Sequence, residues 1–107
     1  MKVDIDIDNE TDDTGRNPLM AACYQGNYKI VELLLKGGAD VNYENINGNT
    51  PLYYASVGYN HTADGFKLRD LLDTMVLLLQ KGAIADERIY ATIKSEAVKE
   101  VFKKWKK

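Results

Sequence analysis

Apolar residues recur at helical spacing through the middle of the chain. Ile30, Leu33 and Leu34 stand at positions i, i+3 and i+4, which predicts one apolar stripe along a helix. A longer periodic set predicts one continuous helix from about Phe66 to Gln80. The middle of the chain is therefore expected to consist of amphipathic helices.

The two ends of the chain carry different patterns. Near the start, apolar side chains alternate with aspartates, which predicts a short half-buried strand or cap over about residues 1–11. Near the end, Asp86 and Ser95 each precede a short apolar-periodic segment and are suitable helix N-caps. Residues 86–107 are therefore expected to form two capping helices with a polar, lysine-rich outer face.

A repeat organises the chain between these ends. The string GRNPL at residues 15–19 recurs as GNTPL at residues 48–52, at an offset of 33. The string LLLKGGA at residues 33–39 recurs as LLLQKGA at residues 77–83, at an offset of 44. The second unit therefore carries about 11 additional residues, which we assign to an inserted loop over residues 59–65 and extra helix after it.

The motifs resemble the ankyrin-repeat family, whose pattern is roughly DxxGxTPLHxAAxxGH followed by a helix ending in LLLxxGADVN. Residues 12–44 match this pattern as a first repeat and residues 45–85 as a second repeat with the insertion. The histidine that follows Pro-Leu in the family is replaced by Met20 and Tyr53. The resemblance implies a single domain with an all-α fold, a short ankyrin-repeat solenoid of helix-turn-helix units with β-turn fingers. The inserted loop is then expected at the end opposite the finger tips.

Local chemistry supports the same helix boundaries. Asn17 and Thr50 each precede a proline, and a capping side chain followed by proline is typical of a helix start. Gly38 and Gly82 follow leucine-rich runs, where a residue in the left-handed region commonly ends a helix.

Composition indicates one small domain. The chain has 107 residues, 45% of them hydrophobic, too few to bury two independent cores. Cys23 is the single cysteine, which excludes an internal disulfide, and we expect it to be a small buried hydrophobe. No apolar run approaches the ~18–20 residues of a membrane span, and no secretory signal is visible. We therefore expect a cytoplasmic protein that is monomeric.

The formal charge of −2 conceals a polarity between the two ends. Residues 1–13 carry six acidic side chains against one lysine, and residues 99–107 carry five lysines against one glutamate. The lysine-rich end is short in an acidic chain, so a solvated helix end is favoured over contact with nucleic acid or a membrane. Solubility at two exposed solenoid ends is the first explanation of the polarity.

No constellation typical of catalysis is present. His61 is the only histidine, no nucleophile adjoins it in sequence, and the GxSxG and Walker strings are absent. The acidic run from Asp4 suggests a calcium loop, but its sixth and twelfth positions are Asn9 and Gly15 where glycine and glutamate are required. We therefore expect no enzymatic activity, no cofactor, no metal and no small-molecule substrate.

Tyrosine usage favours a protein partner. The chain holds seven tyrosines against two phenylalanines and one tryptophan, and tyrosine is enriched in recognition surfaces. In the ankyrin-repeat proteins that this chain resembles, the partner binds to the finger tips and to the exposed face of the first helix of each repeat. Carried over by position, the partner-binding residues are Asp13, Thr14, Arg16, Tyr24 and Gln25 in the first repeat and Tyr43, Glu44, Ile46, Asn47, Asn49, Tyr54 and Val57 in the second.

The resemblance thus implies a non-enzymatic module, an adaptor or an inhibitor, that binds another protein. Two alternatives stay open. One is an immunity-type inhibitor of a cognate toxin or enzyme, and the other is a structural module that associates with itself through its charged ends. Tyr53, next to Tyr54, is equally compatible with a half-buried structural position.

Overall fold

The computed structural model describes residues 15–105, and they contain six α-helices and no strand. The expected strand over residues 1–11 lies outside the described residues. The all-α fold is confirmed: two helix-turn-helix units stack side by side and a short helix pair follows. The helices are α1 (Pro18–Gln25), α2 (Tyr28–Lys36), α3 (Pro51–Asn60), α4 (Gly65–Gln80), α5 (Glu87–Thr92) and α6 (Glu96–Lys103).

Helix boundaries follow the predicted caps. The side chains of Asn17 and Thr50 accept hydrogen bonds from backbone amides three residues on, and a proline stands at the first position of each helix. Asp86 and Ser95 cap α5 and α6 as predicted. Gly82 has a φ of +101° just after α4, in the region that favours glycine.

The insertion is mostly helical. Its residues extend α3 through Asn60 and start α4 at Gly65, so the loop over residues 59–65 is wrong at its edges and only residues 61–64 connect the two helices. The predicted long helix is confirmed to within one residue. Relative to α2, α4 gains about two turns at its N-terminal end.

The core lies between the stacked helices. Leu19, Cys23, Leu52, Met75 and Leu78 are almost completely buried in one cluster, which continues to Val98 and Phe102 of α6. The C-terminal helices therefore close the end of the core. Ser56 of α3 shares a hydrogen bond with Thr92, and the amide of Asn60 donates to the Thr92 carbonyl at 2.7 Å.

The stripe predicted on α2 is wrong in part. Ile30 is 42% exposed and Leu33 is 61% exposed, whereas Val31 is fully buried and Leu34 packs against the core. The spacing of Ile30, Leu33 and Leu34 shows that they share one side of the helix. It does not show which side meets the core, because α2 also contains adjacent apolar residues that point to other sides.

Helices α1 and α3 approach closely at Gly58. A β-carbon at this position would collide with the carbonyl oxygen of Tyr24 and lie 3.2 Å from a methyl group of Leu71. Gly58 has ordinary helical geometry, so its role is close packing of two helix backbones.

We predict that Gly58→Ala lowers the free energy of unfolding by about 2 kcal/mol or more, because overpacking outweighs the higher helix propensity of alanine. Gly65→Ala is the matched control, since Gly65 also lies in a helix and a β-carbon there meets nothing within 4 Å. Urea unfolding followed by circular dichroism measures both variants. Equal stabilities for the two variants would contradict this explanation of Gly58.

Asn17 carries a polar group that is unsatisfied within residues 15–105. Its Oδ1 accepts from the amide of Met20 at 2.9 Å, but within the described residues its buried Nδ2 has no hydrogen-bond partner. The equivalent residue of the second unit is Thr50, which caps α3 through a hydroxyl and is half-buried.

We predict that Asn17→Thr raises the free energy of unfolding by about 1 kcal/mol, because the cap is retained and a buried unpaired amide is removed. The reciprocal variant Thr50→Asn should change stability little, since solvent reaches that site. Thermal unfolding of both variants and of Asn17→Ala, which loses the cap, provides the measurement. A loss of stability in Asn17→Thr as large as in Asn17→Ala would refute it.

Candidate protein-binding surface

The finger that precedes α3, residues 45–49, is a β-turn held from within by Asn45. The amide of Gly48 donates to the Asn45 carbonyl at 2.8 Å, and Gly48 adopts a φ of +75°. The side-chain oxygen of Asn45 accepts from the amides of Asn47 and Asn49, both at 3.0 Å. One buried side chain therefore fixes the direction of the whole turn.

The finger is also attached to its neighbours on both sides. Asn45 Nδ2 donates to the carbonyl oxygen of Gly15 at 3.0 Å and to the hydroxyl of Tyr54 at 2.9 Å. From the other side, the guanidinium of Arg88 donates to the Gly48 carbonyl at 2.7 Å and to Asn49 Oδ1 at 2.6 Å. The first unit and the C-terminal helix pair thus hold the finger between them.

Arg88 lies near the start of α5 and reaches the side of the finger that faces this helix. Its guanidinium carbon lies 5.9 Å from the ring centroid of Tyr53, which is half-buried. A hollow of about 130 Å³ remains between the finger and α5. A single arginine of α5 therefore makes hydrogen bonds to two residues of finger 45–49.

Predicted binding residues of the second unit lie along this finger. Ile46 is 84% exposed at the tip, Glu44 and Asn47 are exposed beside it, and Tyr43 and Asn49 are half-buried. The turn thus presents an apolar side chain surrounded by polar ones. This arrangement resembles the apolar centre and polar rim of protein interfaces.

Of the predicted binding residues of the first unit, Arg16, Tyr24 and Gln25 lie in a row along α1 and just before it. The Arg16 guanidinium carbon lies 5.1 Å from the ring centroid of Tyr24, and the Tyr24 hydroxyl lies 3.5 Å from Nδ1 of His61. The side-chain oxygen of Gln25 accepts from Nζ of Lys67 at 3.2 Å. The C-terminal end of the row therefore contacts the insertion.

Tyr54 is predicted to contact a partner, but the structure buries it. It is only 9% exposed, its ring packs edge-on against Tyr53 at 5.4 Å, and its hydroxyl accepts from Asn45. Its position supports the finger from below, because the face of α3 that carries it turns toward the stacked helices. Val57 is half-buried, and Asp13 and Thr14 lie outside the described residues.

Four residues that shape this surface are not among those predicted from the sequence. Arg88 lies about forty residues from the finger it bonds, so no local spacing signals it. His61 and Lys67 reach α1 from an insertion that has no counterpart in the first unit. The signal for Asn45 was available, because asparagine two residues before Asn-Gly is typical of a turn closed by its own side chain.

The described residues carry no evident catalytic or metal site. Cys23 is completely buried, and its burial raises the pKa of the thiol, which keeps it protonated and unreactive near neutral pH. No group of histidine, cysteine, aspartate and glutamate in residues 15–105 is arranged to hold a metal ion. In the same part of the chain, no helix combines the length and hydrophobicity needed to cross a bilayer.

We predict that Arg88→Ala loosens finger 45–49 by about 1 kcal/mol without unfolding the helices, because several hydrogen bonds to the turn are lost together. Amide hydrogen exchange of Asn47, Gly48 and Asn49 should accelerate several-fold, with little change in the amides of α1 and α3. The control is Arg69→Ala, which removes an exposed arginine of α4 that makes no hydrogen bond to the finger among residues 15–105. Unchanged exchange in Arg88→Ala would show that Asn45 alone holds the turn.

Comparison with known proteins agrees with the architecture. Residues 2–89 match the family described as ankyrin repeats (three copies). The chain is 31% identical over 86 residues to the ADP-ribosylation factor GTPase-activating protein AGD4 of Arabidopsis thaliana, covering 71% of this chain and 11% of the relative. It is 43% identical over 52 residues to a putative ankyrin repeat protein of Borreliella burgdorferi, covering 49% of this chain and 24% of the relative.

A third relative is the probable palmitoyltransferase AKR2 of Saccharomyces uvarum, 44% identical over 59 residues, or 55% of this chain and 8% of the relative. The chain spans at most about a quarter of the length of these three relatives. Ankyrin-repeat domains are typically non-catalytic and generally mediate binding between proteins. Since the family match covers most of the chain and the helices stack in the expected repeating units, the protein belongs to the ankyrin-repeat family.

Proposed function

We propose that this chain is a non-catalytic protein-binding module whose partner contacts finger 45–49 and the row along α1. The observation that carries the proposal is Ile46, an 84% exposed isoleucine on a turn fixed by Asn45 and Arg88. A preorganised turn loses little conformational entropy on binding, so an apolar side chain at its tip is suited to anchor a partner.

The row along α1 supplies polar and aromatic contacts beside this anchor. Arg16 stacks on Tyr24, and Tyr24 in turn packs edge-on against His61 with ring centroids 6.4 Å apart. Mutual packing restrains these side chains before a partner arrives, and tyrosine and arginine are enriched where interfaces are energetically strongest. Tyr54 is not part of the proposed surface, because it is buried under the finger.

Isolation of the complex identifies the partner and decides between an adaptor and an inhibitor. The immunity-type inhibitor and the self-associating module stay hypotheses, since no contact among the described residues favours either. A cytoplasmic setting and a monomeric state likewise stay expectations.

We predict that Ile46→Ser weakens partner binding by about tenfold or more, because truncating a central apolar anchor costs over 1 kcal/mol. The tagged chain is used to isolate its partner from the native cell, and the purified partner is then titrated against each variant. Leu33→Ser is the matched control, since it replaces an equally aliphatic, exposed side chain on the outer helix α2. If binding survives Ile46→Ser but is lost with Leu33→Ser, the partner contacts α2 and not the finger.

A further inference from the structure

A groove of about 880 Å³ lies between the start of α2 and the outward side of α4. The groove lies where the two helices of each unit connect. Finger 45–49 lies elsewhere, just before α3. One wall is formed by residues 25–29 and the other by the outward residues of α4. Because α4 is about two turns longer than α2, much of the second wall consists of inserted residues.

The inserted turns are held against α1 by close packing at Gly26. A β-carbon there would lie 2.9 Å from Cγ of Leu71, and Gly26 adopts a φ of +70° that favours glycine. Leu71 itself is completely buried. The wall of the groove is therefore a fixed part of the fold.

Two aromatic side chains stand at the groove on opposite walls. Phe66, in the first turn of α4, is 87% exposed, and Tyr28, at the start of α2, is 37% exposed. Leu77 of α4 is buried and also lines the groove, where it adds apolar surface. Leaving a phenylalanine almost fully in water is unfavourable relative to burial, which makes Phe66 a candidate contact residue.

The same wall of α4 is acidic. Asp70 and Asp73 follow Phe66 at i+4 and i+7, line the groove and are exposed. Within residues 15–105 neither carboxylate forms an ion pair closer than 4 Å, in contrast to the glutamates of α6, which pair with Lys99 and Lys103. Carboxylates three residues apart on a helix are close enough to share one cation.

The other charged groups at the groove do not cancel this acidic pair. The carboxylate of Asp64 caps α4 by accepting from the amide of Phe66 at 2.9 Å. Lys67 donates to Gln25, and Lys29 extends from the opposite wall. Three aspartates against two lysines leave the groove acidic, and its α4 wall offers two carboxylates to a cation.

We propose that this groove binds a segment of a partner protein that carries a large apolar side chain next to a lysine or arginine. The apolar side chain fits between Tyr28 and Phe66, and the cation meets Asp70 and Asp73. The two aspartates repel phosphate groups, which disfavours nucleic acid or an anionic membrane as the occupant. The groove shares Gln25 with the row along α1 but no residue with finger 45–49, so this proposal does not depend on the finger.

The probe is a library of random 12-residue peptides displayed on phage and selected against the immobilised full-length chain. Selected peptides should combine a large apolar residue with lysine or arginine. The synthetic form of a selected peptide should lose affinity by about tenfold or more with Phe66→Ser and with the double variant Asp70→Lys/Asp73→Lys, as measured by fluorescence anisotropy. Both changes affect exposed side chains, and circular dichroism checks that the helices are retained.

Two controls separate the groove from the rest of the surface. The double variant Glu96→Lys/Glu100→Lys makes the same change of charge on α6 and should leave peptide affinity unchanged. Ile46→Ser tests the finger and should also leave it unchanged, so failure of the groove is distinguishable from failure of the finger.

Other results would overturn the proposal. They are the recovery of no peptide above background, the recovery of peptides without basic residues, or binding that is abolished by Ile46→Ser and unaffected by Phe66→Ser. Co-sedimentation with phosphatidylserine vesicles that depends on Phe66 would also overturn it, in favour of a membrane surface.

Discussion

The close approach of α3 to α1 at Gly58 is the constraint on which the rest of the structure depends. With no β-carbon between them, the two backbones meet at the carbonyl of Tyr24, and Leu71 fills the corner beside both Gly26 and Gly58. This spacing brings the two units near enough for Asn45 to reach the carbonyl of Gly15. It also seats the added turns of α4. A larger residue at the contact would move the two units apart. The hydrogen bond from Asn45 to Gly15 and the packing of the added turns of α4 would then be disrupted.

Finger 45–49 shows how a short solenoid stabilises an exposed turn. Long arrays can brace each finger against neighbouring fingers on both sides. Asn45 supplies the bond toward the first unit, and Arg88 supplies bonds from the C-terminal helix pair. Both act through groups with fixed geometry, an amide and a planar guanidinium. The finger is thereby held rigid at its base while Ile46 at its tip stays exposed.

The insertion adds new side chains to the side of the protein where the two helices of each unit connect. Its loop brings His61 to Tyr24 and extends the row along α1, while its helical part builds one wall of the groove beside α2. Both effects arise from adding helix to α4 and little to the loop itself. An inserted helix presents side chains at fixed spacing, so Phe66 and Asp70 lie on one side of a rigid wall. A flexible loop of equal length would not hold them together.

The sequence by itself determined the repeat, the helix caps and most helix boundaries, because these depend on local chemistry: a capping side chain before proline, or glycine after a leucine-rich run. It also predicted the long helix that becomes α4. Only the tertiary structure decided which side of α2 faces the core, that Tyr54 supports the finger from inside, and that Arg88 bonds a turn about forty residues away. Burial and long-range hydrogen bonds depend on how helices stack, and periodicity within one helix carries no information about its neighbours.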